Sequence, residues 1–259
     1  MYKILTLIIF VLFLAEFSCS SPPETPKLFA GGFTKENEKG LFLFDFDKKG
    51  NLSLLAQSDA GPSPSYFCFF QKHNLIYALD EVMDFNGKPG GGITTLQYDQ
   101  ASGAIEKRNE LPVPYGGPCH ISVSTDSCFL FVASYGSGSV AVVKLDEMGI
   151  PERVTDSVLY VTEAPKVSHP HMILQDPAGK HVYLTDLGLD RIIIYDFDRS
   201  IGRLVQLTDG IISLPDGSGP RHFVFKEDGS KMYVINELGS TIIVFDIDEK
   251  GILHPVQTL

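Results

Sequence analysis

The chain has 259 residues, 44% hydrophobic and 20% charged, a globular composition with ample length to bury a core. Its formal net charge of −11 argues against a nucleic-acid partner, because phosphate contacts require a basic face. A small anionic substrate remains compatible with that charge if a few Arg and His gather locally. Tryptophan is absent, so eighteen Phe and ten Tyr must supply the bulky core.

Residues 1–19 read as a signal peptide. Lys3 precedes an apolar run over residues 4–15, and the small residue Ser18 precedes Cys19, the order found in secretory signals. The run is shorter than the roughly 20 apolar residues that a membrane-spanning helix needs. Ser18-Cys19 followed by Ser20-Ser21-Pro22-Pro23 resembles a bacterial lipoprotein site, which implies lipidation at Cys19. The expectation is an exported protein, periplasmic or at the cell surface, that meets the membrane only through a lipid anchor. Residues 20–27 form a Pro-rich tether, and residues 28–259 form one domain.

Within that domain the apolar residues alternate with the period of strands. Residues 28–32, 41–46 and 52–56 predict three strands without a leading strand A. A blade follows from Ser65 to about Leu111, with a Gly-rich insertion over residues 85–92. Two more run from Pro118 to about Thr162 and from His169 to about Leu214. In the fifth unit, residues 222–225, 232–235, 241–245 and 252–259 predict strands A to D. Four antiparallel strands joined by hairpins make a propeller blade.

Three segments of this domain repeat one another: residues 117–146, 168–198 and 219–248. They set His120, His171 and His222 at intervals of 51 residues. Such a period, built from short β-rich runs and glycine turns, is the mark of a β-propeller. It predicts that the three imidazoles hold equivalent places around one axis.

No Rossmann glycine fingerprint, P-loop or nucleophile-elbow Ser is present, and no cofactor is implied. Besides Cys19 there are Cys68, Cys119 and Cys128, an odd count with no zinc-ligand spacing. Cys68 reads as a small core residue. Cys119 and Cys128 are near enough in sequence to bridge in an oxidising compartment. His169 and His171 share a strand face, but no third ligand accompanies them, so no metal site is assigned.

In a propeller the start of strand A and the B–C turn open onto one end of the central channel. His120, His169, His171, Arg221 and His222 hold the first position. Ser134-Tyr135, Asp186, Asn236 and Glu237 hold the second, with Asp80 and Glu81 in the weaker blade, and Arg191 closes a B–C turn. The expectation is that His120, His171, Arg191, Arg221, His222 and Glu237 face one cavity. Arg forks suit carboxylate or phosphate, a Glu or His beside a water can act as general base, and Arg can stabilise an oxyanion. Asp196, Asp198, Asp246 and Asp248 read as turn residues, His73, His181 and His254 as solvated, and Tyr183 and Tyr233 as core aromatics.

Gly219-Pro220-Arg221-His222 with Val234-Ile235-Asn236-Glu237-Leu238 resembles the lactonase family of seven-bladed propellers. So do Cys119-His120-Ile121-Ser122 with Val132-Ala133-Ser134-Tyr135, and His169-Pro170-His171 with Asp186-Leu187-Gly188-Leu189-Asp190-Arg191. That family includes propeller-type 6-phosphogluconolactonases and carboxymuconate lactonizing enzymes. The resemblance implies an all-β propeller of four-stranded antiparallel blades, about five of an expected seven, and hence a fragment that forms an open arc when isolated. It implies a site with His120 or His171, Arg191, Arg221 and Glu237.

The leading expectation is therefore hydrolysis of a small anionic lactone or sugar-acid derivative. Glu237, His171 and Arg221 are the catalytic candidates, and His120, His169, Arg191, His222, Asn236 and Tyr135 the substrate-binding ones. Two alternatives stand beside it: a non-catalytic exported scaffold, since residues 179–185 and 231–236 also resemble YVTN-type surface repeats, and a muconate-type cycloisomerase.

Overall fold

The computed structural model describes residues 27–34, 38–162 and 165–259. The signal peptide, Cys19 and the tether up to residue 26 lie outside the described residues. A three-stranded sheet comes first: β1 (Lys27–Gly31), β2 (Leu41–Phe46) and β3 (Leu52–Ser58). The second blade holds β4 (Phe67–Phe70) and β5 (Leu75–Asp80). The expected insertion follows as a small hairpin, β6 (Asp84–Phe85) and β7 (Lys88–Pro89), and the blade resumes with β8 (Gly91–Tyr98) and β9 (Ile105–Val113).

The third blade is β10 (Pro118–Val123), β11 (Phe129–Ser134), β12 (Ser139–Leu145) and β13 (Pro151–Leu159). The fourth is β14 (Pro170–Gln175), β15 (His181–Asp186), β16 (Arg191–Asp198) and β17 (Arg203–Ser213). The fifth is β18 (Pro220–Phe225), β19 (Lys231–Asn236), β20 (Thr241–Ile247) and β21 (Leu253–Thr258). Each blade is an antiparallel meander, the arrangement that the strand-period runs and glycine turns predict.

The core lies between blades. Leu79 and Tyr77 of β5 pack on Ile121, Leu130 and Val132 of the third blade. Phe131 and Ala133 of β11 meet Val182 and Leu184 of β15, and Tyr183 on the other face of β15 meets Phe223 and Val234. Because side chains alternate across a strand, β5, β11 and β15, covered on both faces, are buried at every position and are apolar through their centres. On β19 only Met232, Val234 and Asn236 are buried. Tyr233 lies on the opposite face and is exposed, which corrects its reading as a core aromatic.

Polar latches join neighbouring blades. Tyr77 Oη donates to Gly149 O at 2.6 Å, Tyr183 Oη to Gly251 O at 2.8 Å, and Thr155 Oγ1 to Gly202 O at 2.8 Å. The three acceptors sit in left-handed turns after strand C, at φ +83°, +82° and +71° respectively, where glycine costs least. A Cβ on Gly251 would also lie 2.4 Å from the His181 ring. That close approach buries His181, with Nδ1 2.9 Å from Asp196 Oδ1, so it is not the solvated histidine expected.

The strand register revises the histidine repeat. Pro118, Pro170 and Pro220 open the A strands and pair with Ser134, Asp186 and Asn236. After each proline the ladder slips by a residue, resuming at His120↔Ala133, Met172↔Thr185 and His222↔Ile235. The residues in the slip are Cys119, His171 and Arg221. His171 is thus equivalent to Cys119 and Arg221, while Met172 is equivalent to His120 and His222. The prolines are 52 and then 50 residues apart, and the two deviations cancel in the histidine spacing. A bulge of this kind leaves one residue unpaired and re-aims its side chain.

Candidate active site

The slipped residues point into a cavity of about 310 Å³ lined by Phe33, Ser65, Tyr66, Glu81, Cys119, Tyr135, His171, Arg221, His222 and Glu237. Cys119, His171 and Arg221 follow the proline that opens each A strand, and Ser65 follows Pro64 in the segment that leads into β4. Glu81, Tyr135 and Glu237 come one residue after the end of strand B. A backbone bond fixes that position in the second, fourth and fifth blades: Glu81 N donates to Ser63 O, Leu187 N to His169 O and Glu237 N to Gly219 O, at 3.3, 3.0 and 2.8 Å.

Two polar pairs flank the cavity. Arg221 Nε lies 2.7 Å from Glu237 Oε2, with both side chains about half exposed. The Ser65 hydroxyl donates to the Glu81 carboxylate. Between them the Cys119 thiol lies 3.5 Å from the carbonyls of both Pro170 and His171. Burial pushes that thiol up to about 12, so it stays protonated and is no thiolate nucleophile.

The imidazoles form the floor. The His171 ring lies 5.1 Å from His222, His222 lies 5.8 Å from His120, and His120 packs 4.6 Å from Tyr66. Burial, then the neighbouring histidines, holds His120 down to about 3. Burial, then the Arg221 charge, brings His171 to about 4 and lowers His222. All three are neutral at physiological pH. His171 Nδ1 and His222 Nε2 are buried without a hydrogen-bond partner. Among the described residues no group of three or more His, Cys, Asp and Glu is arranged to hold a metal ion.

Residues 27–259 match the family model of the lactonases, described as seven-bladed β-propellers. The chain belongs to the lactonase family. An uncharacterised protein of Staphylococcus aureus is 28% identical over 229 residues, which cover 85% of this chain and 64% of that relative. This chain therefore spans somewhat under two thirds of the length of the curated relatives it matches. A solved Bacteroides fragilis protein with the provisional name 6-phosphogluconolactonase is 25% identical, with a TM-score of 0.81 over 93% of this chain and 68% of that one. The periplasmic gluconolactonase of Pseudomonas aeruginosa is 26% identical, with a TM-score of 0.80 over 90% of this chain and 67% of that one.

In this lactonase-family propeller the residues expected at the site separate into groups. Glu237, Arg221, His171, His222 and Tyr135 line the cavity together. His120 is buried beneath it, where Nδ1 accepts from Ile173 N of the next blade at 3.4 Å. His169 stacks on the Tyr135 ring, with centroids 4.2 Å apart, and its Nδ1 lies 2.9 Å from Tyr135 O. Asn236 is buried and donates to Thr241 Oγ1 at 3.0 Å.

Arg191 does not line the cavity, which corrects its expected place. Its Nε lies 3.0 Å from the fully buried Asp186 carboxylate, and its guanidinium sits 5.6 Å over the Tyr160 ring. A carboxylate taken out of water needs such a partner. Ser65, Tyr66 and Cys119 are members that the histidine repeat hides and the proline repeat reveals. Cys119 and Cys128 are both free thiols.

Proposed function

We propose that the protein is a lactone hydrolase in which water attacks the ring carbonyl. The observation that carries this reading is the Arg221–Glu237 pair, at 2.7 Å on the rim of the cavity. The water oxygen bonds to the carbonyl carbon while Glu237 takes its proton. Glu237 engages Nε of Arg221, and the remaining guanidinium donors meet the developing oxyanion. When the tetrahedral intermediate collapses, the ring C–O bond breaks and the alkoxide recovers the proton from Glu237. The product is the open-chain hydroxy acid, with atoms and charge balanced by one water. The neutral His171 and His222 beside the pair add no competing cation.

Family membership supports this chemistry, as do the names of the solved relatives. Those names divide between a phosphorylated and an unphosphorylated lactone, so they leave the phosphate open. The Pseudomonas protein's periplasmic location supports export of this chain through residues 1–19, with Cys19 as the proposed lipid attachment point.

The test is a pH-stat screen of purified full-length protein against a lactone panel. Glu237→Gln should lower kcat by about 10²–10⁴-fold with little change in KM, as expected for a group acting only in the transition state. Arg221→Lys should cost about 10²-fold or more, because an ammonium cannot reproduce the planar fork. Undiminished turnover in Glu237→Gln would move the base elsewhere, and a panel without turnover would end the lactonase reading.

A further inference from the structure

Resting on the lactonase reading, we propose that the cavity selects an uncharged, polyhydroxylated lactone over its phosphorylated counterpart, with Glu81 as the residue that enforces the choice. The argument is one of charge. Among the described residues lining the cavity, Arg221 is the one permanent cation, while Glu81 and Glu237 both bring carboxylates. Arg221 is already matched by Glu237 at 2.7 Å. The second arginine that would favour an anion, Arg191, is spent on Asp186 at 3.0 Å. The three imidazoles are held neutral, chiefly by burial.

A phosphate monoester carries about −1.5 to −2 at neutral pH. It would enter a lining whose described groups already sum to a negative charge, and no unmatched cation there would receive it. Like charges brought together in a partly desolvated cavity are a common means of rejecting a wrong ligand.

The same lining suits hydroxyl groups. Carboxylates accept hydrogen bonds from hydroxyls, and Glu81 presents one that Ser65 holds in place. Tyr135 offers an aromatic face for the C–H side of a sugar ring. Its own ring is fixed by stacking on His169 at an interplanar angle of 13°. A few placed polar groups beside an aromatic wall are what a pocket for a small polar ligand requires.

The experiment uses the full chain and two matched pairs. Hydrolysis of 1,5-gluconolactone and of its 6-phosphate is followed by pH-stat. Binding of the non-hydrolysable 1,5-gluconolactam and of its 6-phosphate is measured by calorimetry. The expected result is a preference of about tenfold or more for the unphosphorylated member in both kcat/KM and affinity. Glu81→Gln, which keeps the shape and removes the charge, should narrow both ratios several-fold. Equal or better handling of the phosphorylated member in either pair overturns the proposal. An unchanged ratio in Glu81→Gln overturns the role of that residue. If the unphosphorylated lactam binds preferentially but neither lactone is opened, the hydrolase reading falls and the selection stands. If neither lactam binds and neither lactone is opened, both fall.

Discussion

Stability should peak near pH 6.5, because three buried groups titrate in opposite senses on either side of it. Asp80 is fully buried with Thr94 Oγ1 at 3.1 and 3.2 Å from its oxygens, and desolvation pushes its carboxyl up to about 8. Between about pH 8 and 4 the folded chain keeps a proton there that the unfolded chain releases, so stability grows as pH falls from 8. His120 and His171 behave the other way. They stay neutral down to about 3 and about 4, whereas unfolded imidazoles charge below about 6.5.

One unit of pKa difference is about 1.4 kcal/mol. From pH 8 to 6.5 Asp80 alone should add roughly 2 kcal/mol. Below 6.5 the two histidines should remove roughly 2.7 kcal/mol per pH unit and Asp80 return roughly 1.4, leaving a net loss of roughly 1.4. His222 adds to that loss, since its pKa is also lowered. The turn carboxylates held low, such as Asp228 and Asp248, act below this window. With a urea m value of about 2 kcal/mol/M, the midpoint should fall by roughly 1 M at pH 8 and again at pH 5, measured by far-ultraviolet dichroism. Asp80→Asn should abolish the alkaline limb and steepen the acid one. A wild-type midpoint that rises steadily from 6.5 to 8, or an alkaline limb unchanged in Asp80→Asn, would refute the reasoning.

Arg191→Met should cost about 3–5 kcal/mol, because it strands the buried Asp186 charge, and adding Asp186→Asn should restore most of the loss in urea titrations. Tyr77→Phe and Tyr183→Phe should each cost about 1–2 kcal/mol by leaving a turn carbonyl short of its inter-blade donor, read as a drop in thermal midpoint. Cys128 is exposed while burial pushes Cys68 and Cys119 to about 12, so mass spectrometry after iodoacetamide treatment at pH 8 should find Cys128 modified well before the other two.

The blades were legible because propeller physics writes itself locally. Runs such as Phe129-Leu130-Phe131-Val132 and glycines at turns announce strands and hairpins with no knowledge of their neighbours. The cavity members Arg221, Glu237, His171 and Tyr135 were legible as polar residues at strand ends within apolar repeats. Register was not. Equal histidine spacing concealed two one-residue changes of opposite sense, and only the ladder pairing of Pro170 with Asp186 exposes them. Arg191 was misplaced for a related reason. It stands five residues from Asp186, but the burial that binds the two together is imposed by other blades. His181 looked solvated because Gly251, which covers it, belongs to the following blade. What escaped the sequence is register within a ladder and contact between blades, neither of which a local run of residues records.

The slip after each opening proline also separates two tasks that usually compete for the same side chains. A ladder residue must satisfy its neighbours in shape and alternation, so its identity is constrained from both faces. The slipped residue is released from that ladder, and three blades fill it with Cys119, His171 and Arg221. Each of these three blades thus offers a socket whose occupant can be exchanged while the scaffold around it keeps its pairing. That share of the cavity lining can therefore be rewritten one blade at a time, while Tyr135 and Glu237 keep their places after strand B.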